Sequence, residues 1–356
     1  MKDRPASLVD LPAAPPPDAP PAPPKIPDAP PEPAPGAPGP LQGIGGPLAR
    51  ARAALRPVML VAAALFIGLA ARDLARRWES GESIEVRPAF VALSVLPLAL
   101  GAVVLGLGWA WLLEELTGRS IPRWPAIALH IESQAARYIP GKVGVPLTRM
   151  LGAPRIGTTS AVVGSSFAVE LISFVSVGAM VGLGLLAAGG EQVAGVSALI
   201  GRWSLPVPLA LGVVLVALMT VDRARAPARV RKLLAAEGRG PLMPARLPLA
   251  HAAYWLTWAA HGACAALAVG ATPGAALGGS GLFVLAPIVG FLALATPGGI
   301  GVREALLSVG LAPAVGPAAA LGAAVMSRAT SLAVDVGGWL AARLLSGRRG
   351  AEPRRR

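Results

Sequence analysis

Apolar positions in this chain come in long blocks, not in the one-sided stripes of a water-soluble fold. Residues 57–71, 88–113 and 247–302 contain no Asp, Glu, Lys or Arg. The last block is 56 residues long. At 1.5 Å of helical rise per residue it can cross a hydrocarbon core of ~30 Å more than once. Hydrophobic segments fall at 53–72, 88–113, 125–138, 158–188, 203–221, 247–271, 276–296 and 314–345, with a shorter helix at 302–312. The pattern predicts an all-α, polytopic helical membrane protein of about eight hydrophobic segments. The first has only 15 uncharged residues, about 22 Å of helix, so Arg56 and Arg72 at its ends must snorkel.

Composition sharpens this. The chain is 54% hydrophobic and 14% charged, against roughly 25% charged in soluble domains, which excludes a soluble enzyme. The net charge of +13 raises nucleic acid as a partner, but aromatics are 4% and no basic stretch is interleaved with them, so none is expected. Only Lys2, Lys25, Lys142 and Lys232 are lysines; the Arg, Ala, Gly and Pro excess looks like a GC-rich coding sequence. The basic residues set membrane orientation and attract anionic headgroups. The single Cys264 excludes an intrachain disulfide or a thiolate metal cluster, and no cofactor is expected. The first 30 residues hold no apolar core of a cleavable signal peptide.

Three regions follow: a tail at 1–47, a transmembrane domain at 48–346 and an Arg-rich tail at 347–356. Half of residues 11–40 are Pro, a composition that favours disordered polyproline II. Arg50, Arg52 and Arg56 place this tail in the cytoplasm. The loop 222–246 carries seven basic residues against Asp222 and Glu237 and is cytoplasmic too, whereas 189–202 reads as outside. The Arg-rich end joins the cytoplasmic side only if 276–312 enters and leaves the membrane from one face, broken at Thr296-Pro297-Gly298-Gly299. Such a break is tolerated where protein or a water-filled cavity satisfies the freed backbone groups.

The break has an earlier counterpart. Pro140-Gly141-Lys142-Val143-Gly144-Val145 aligns with Pro297-Gly298-Gly299-Ile300-Gly301-Val302, with four identities 157 residues apart. Glu170 lies 26 residues after Gly144, and Arg328 lies 27 after Gly301. Gly/Pro-interrupted segments at corresponding positions of two halves point to the binding region of a transporter. Broken helices present free N–H groups and a positive dipole end, which suit a phosphate. Arg137, Lys142, Arg149 and Arg155 gather at the first break, and Arg303 with Glu304 opens a helix after the second.

These residues resemble a known family. Ser133-Gln134-Ala135-Ala136-Arg137-Tyr138-Ile139-Pro140-Gly141-Lys142-Val143-Gly144 is similar to the first signature of the flippase-like membrane region of lysylphosphatidylglycerol synthases. The run from Pro297 to Ala305 resembles the second, and the likeness covers roughly 53–345. The resemblance implies transport of a phospholipid or lipid-linked headgroup between leaflets of a bacterial inner membrane, with Glu170 and Arg328 where the family places an intramembrane acid and base. Family members with the synthase activity carry a further aminoacyl-transferase domain; the sequence ends eleven residues past the last apolar segment, so that activity is not expected and the lipid does not carry over.

The candidate substrate-binding set is therefore Arg137, Pro140, Gly141, Lys142, Gly144, Arg149, Glu170, Pro297, Gly298, Gly299, Gly301, Arg303, Glu304, Arg328 and Asp335. Arg328 and Asp335, two turns apart, share a face; Arg328 is expected to meet a lipid phosphate with Glu170 or Asp335 balancing it, or to form an ion pair between the halves. His251 and His261 are ten residues apart and cannot share a metal ion, so polar packing is their expected role; His130 shares a face with Gln134. Trp109, Trp111, Trp124, Trp203, Trp255 and Trp258 read as interfacial anchors. No catalytic motif is present, and no enzyme activity is expected. Two alternatives stay open: a membrane-embedded transferase using Glu132, His130 and Asp335, and a non-catalytic scaffold presenting the Pro-rich tail. The sequence also allows a homo-oligomer.

Overall fold

The computed structural model describes residues 72, 85–138, 143–189, 203–228, 240–293, 299 and 301–350, with side chains for all of these except 138 and 346–350. The Pro-rich tail, most of segment 53–72, the loop 190–202, Pro140, Gly141, Lys142, Pro297 and Gly298 lie outside the described residues. Nine α-helices are described: α1 (Pro88–Thr117), α2 (Arg123–Gln134), α3 (Gly144–Gly152), α4 (Ser160–Ala188), α5 (Pro206–Thr220), α6 (Arg246–Ala268), α7 (Pro273–Leu292), α8 (Val302–Val315) and α9 (Pro317–Gly350). No strand occurs among the described residues. Pro at the first turn fixes φ where α1, α5 and α7 begin, and the Thr159 and Thr272 hydroxyls accept the Val162 and Ala275 N–H groups in the first turns of α4 and α7. The apolar segments place no element over 139–157; α3 lies there, and Gly157 (φ +70) ends the 3-10 turn that follows it.

Four of these helices, α1, α4, α7 and α9, are long and apolar enough to cross a bilayer. Their outward faces are apolar, as a lipid solvent requires. Leu93, Leu96, Leu100 and Val103 run down one side of α1, and Val325, Leu332, Val336 and Leu340 down one side of α9, all exposed. The polar residues turn inward: Ser166, Glu170, Ser173 and Ser176 of α4 are buried.

Two breaks divide the helices into hairpins. Gly144 comes back beside the Ala136 carbonyl and Gly152 beside Leu129, so α3 returns antiparallel along α2. In the same way Gly299 and Arg303 lie against Gly290, and Leu311 against Gly279, so α8 returns along α7. At 12 and 9 residues, about 18 and 14 Å, α2 and α3 are each too short to cross ~30 Å.

Packing between the halves carries the repeat further than six matching residues could. α1 packs along α6 antiparallel: the Arg87 N–H donates to the Ala268 carbonyl at 2.8 Å at one end, and Gly108 meets Ala250 near the other. α4 packs along α7, and α9 along α2. Exchanging α1–α4 for α6–α9 maps the first contact onto itself and each of the other two onto its partner. The two halves are therefore inverted copies related by a pseudo-two-fold axis, the arrangement of many secondary transporters. α5 stands outside both halves against α4, with only Leu215 buried.

Small residues set the closeness of these contacts. A Cβ on Gly281 would come 2.6 Å from the Gly182 carbonyl oxygen, a backbone atom that cannot swing away. A Cβ on Gly184 of the same α4 would meet nothing within 4 Å. Gly281→Val should therefore lower the detergent-solubilised melting temperature by an amount equivalent to about 1–3 kcal/mol, while Gly184→Val leaves it nearly unchanged. Differential scanning fluorimetry on the two variants checks this; equal melting temperatures would refute the α4–α7 packing.

Candidate functional site

The face of α2 that carries His130, Ser133 and Gln134 continues through the 3-10 turn Ala135–Tyr138 to Arg137, at spacing i, i+3, i+4, i+7, and all four side chains are drawn into one polar cluster. At its centre stands Arg149 of α3, 3% exposed, whose Nη1 donates to Glu170 Oε2 at 2.5 Å. Its Nε donates to the Ser133 hydroxyl at 2.9 Å and its Nη2 lies 2.8 Å from His130 Nε2. The guanidinium also sits 5.1 Å from the Trp109 ring centroid, and the Trp109 indole N–H donates to the Ser166 hydroxyl at 3.1 Å. His130 Nδ1 takes Gln134, as the shared face predicted, and Arg137 donates to the other end of the same Gln134.

This cluster walls one side of a cavity of about 150 Å³. Val145 and Arg149 of α3 approach it from the first break, Gly299 and Arg303 from the second, and Glu170 from α4. Tyr254, Trp255 and Trp258 of α6 close the opposite wall, with Trp258 carrying the Arg303 guanidinium 5.2 Å above its ring. Both hairpins thus deliver an Arg and the N-terminal end of a helix to the same space. Among its lining residues three cations, Arg137, Arg149 and Arg303, face one acid, Glu170. A smaller cavity adjoins it across Gln134 and Arg137, lined on its far side by Ser331 and Asp335 of α9.

The expected site residues divide accordingly. Arg137, Arg149, Glu170, Gly299 and Arg303 line the central cavity. Gly299, at φ +70 and with its Cα region pressed on the Gly290 backbone, occupies a position where a side chain fits neither the dihedral nor the space. Gly144 and Gly301 sit at helix starts; the Gly301 N–H donates to the Glu304 carboxylate at 2.7 Å, so Glu304 caps α8 as its place in the first turn suggested. Asp335 lies behind Arg137, 3.5 Å from it, an ion pair between the halves. Arg328 is half-buried on α9 and is not among the residues lining the central cavity. Glu170 is paired with Arg149, and Asp335 with Arg137.

Several assignments change. Trp109, Trp255 and Trp258 are not interfacial anchors: they are 1%, 0% and 4% exposed and pack around the polar centre, whereas Trp124 and Trp203 are exposed. The histidines do pack as polar core groups, His251 Nδ1 on the Ser173 hydroxyl at 2.8 Å and His261 between the Ser94 carbonyl and the Ser327 hydroxyl. Glu132 binds Arg155 through both carboxylate oxygens, at 2.8 and 3.1 Å, and so fastens the base of the first hairpin. His130, Ser133 and Ser166 enter the site although charge alone did not single them out. Their signal was available as polar residues repeating at helical spacing inside apolar segments.

A buried pair broken on one side leaves an uncompensated charge, at a cost of roughly 3–5 kcal/mol. Arg149→Ala should therefore destabilise the protein by about that amount, and Arg149→Ala with Glu170→Ala should be more stable than Arg149→Ala alone. Melting curves of the four species in one detergent decide it: if the double variant is the least stable, the pair is not the centre of the cluster.

Residues 54–337 match the sequence profile of the Lysylphosphatidylglycerol synthase TM region, and no curated protein matches the chain. The match covers most of the chain and contains every helix from α1 to α8, both hairpins and α9 as far as Gly337. The chain belongs to the membrane-protein family of the lysylphosphatidylglycerol synthase transmembrane region.

Proposed function

We propose that this protein moves the phosphate-bearing headgroup of an anionic phospholipid or lipid-linked substrate from one leaflet to the other, as a flippase-like transporter without a chemical step of its own. The observation that carries the reading is the convergence of both helical hairpins on one cavity with an excess of positive charge. Charges inside a membrane are expensive, and three guanidiniums beside one carboxylate are tolerated best where an anion visits. The starts of α3 and α8 bring two positive dipole ends to the same place, the Gly301 N–H being held by Glu304. A volume of about 150 Å³ suits a small headgroup and leaves the acyl chains in the bilayer.

In this reading the membrane is the bacterial inner membrane and both termini are cytoplasmic. The basic loop 222–246 and the end of α1 share that face, since Arg223 donates to the Glu115 carbonyl at 3.1 Å. The transferase alternative has less support, because Glu132 is engaged by Arg155 and His130 by the Arg149 cluster.

The test is lipid movement in proteoliposomes with fluorescent phosphatidylglycerol, aminoacylated phosphatidylglycerol and an isoprenoid phosphate, read by dithionite quenching. The full chain should expose the protected inner-leaflet fraction of at least one of them. Arg303→Ala should slow this about tenfold or more, the worth of one charge-assisted hydrogen bond, with Arg303→Lys in between. A folded parent that moves none of the three lipids would overturn the reading.

A further inference from the structure

We propose that Glu170, with His130 and His251 beside it, is a proton site coupled to the cavity, so that an anionic headgroup binds together with one proton. The inference rests on the reading above and deepens it.

Arg149 faces two ways. It lines the cavity, yet its three donor nitrogens point at Glu170, Ser133 and His130. A headgroup phosphate that takes Arg149 competes with Glu170 for the same guanidinium. Glu170 is 6% exposed, and a buried carboxylate stripped of its counter-charge is strongly disfavoured. A proton removes that penalty.

The surroundings of Glu170 leave few other remedies. From α2 comes His130, whose Nε2 lies 3.3 Å from Glu170 Oε1; from α3 comes Arg149 itself. From α6 comes His251, near enough for each group to feel the other's charge. α5 and α7 contain no titratable residue, the acids Glu114 and Glu115 of α1 stand at its far end, and Arg155 in the turn before α4 is committed to Glu132. Arg137 and Arg303 line the same cavity. His251 adds an independent sign. Its Nδ1 meets Ser173, one turn from Glu170, while its Nε2 is buried with no hydrogen-bond partner among the described residues. A fully buried imidazole nitrogen with an open position is where a proton can arrive or wait on its way to the carboxylate.

One consequence separates this from simple facilitation. A monoanion carried with one proton moves no net charge, so a pH gradient drives it and a membrane potential does not.

The experiment is isothermal titration of the full-length protein with dioctanoyl phosphatidylglycerol, and separately with glycerol phosphate, at one pH in buffers of different ionisation enthalpy. The dependence of the heat on the buffer counts protons. Phosphatidylglycerol should bind with uptake of about one proton, and Glu170→Gln, already neutral, should bind it with uptake abolished. Binding without proton exchange would overturn the coupling and leave the transport reading intact; failure of the lipid to bind would overturn both. Glycerol phosphate binding with proton uptake in place of the lipid would keep the coupling and make a free phosphate its source. Should Glu170→Gln fail to fold, the proton count on the unaltered chain decides alone.

Discussion

Arg149 and Glu170 hold together what the chain has broken. A hydrocarbon solvent offers no hydrogen bonds, so interrupting a helix inside it exposes backbone groups that only protein or trapped water can satisfy. The first hairpin accepts that cost and must be pinned to something that cannot slide. Its return arm is nine residues long and buries few side chains, Arg149 among them. The 2.5 Å contact from that arm to α4, backed by Ser133 and His130 from the outgoing arm, ties both limbs of the hairpin to a helix that crosses the membrane. In the second half Arg303 stands over Trp258 as Arg149 stands over Trp109. The hairpins are alike in backbone, but only the first half brings an acid, Glu170, to the cavity lining.

That difference gives the cavity its sign. Symmetric halves would bring matched charges; here one half supplies Arg137, Arg149 and Glu170 and the other supplies Arg303 to the lining. The Arg137–Asp335 pair then joins the halves beside the cavity without neutralising it completely. Around this centre the packing follows lipid logic, with branched apolar side chains outside and serines, histidines and close-set glycines within.

Much of this was legible in the sequence, and the reasons differ by feature. Apolar segments give α1, α4 and α6 to within a few residues because a bilayer enforces length and apolarity together. The two PG-containing breaks were visible because Gly and Pro interrupt helices by mechanisms that do not depend on neighbours. α3 was missed: nine residues holding a Pro, a Thr and an Arg carry too little periodicity to be seen. The partner of Glu170 was also out of reach. Arg149 stood in the candidate set, but which cation meets which acid depends on how α3 folds back, a tertiary fact. The tryptophans misled because an amphipathic ring suits an interface and a polar cavity equally well.

The lone helix α5 acquires its meaning from parity. α4 ends with Gly189 beside Gly278, at the face where α1 starts and α6 ends; α6 begins at the opposite face, beside Glu114 and Glu115. Each half begins and ends at one face of the helix bundle, since its hairpin returns to the side it left. Two such halves joined directly would run in the same direction, and the antiparallel contact of α1 with α6 could not form. One additional pass from face to face turns the second copy upside down. α5 is the described element between those two faces, and burying only Leu215 it has almost no other packing duty. Its constraint is one of count and length, not of side-chain identity. A duplicated half thus becomes an inverted pair through a connector that needs little more than to be apolar.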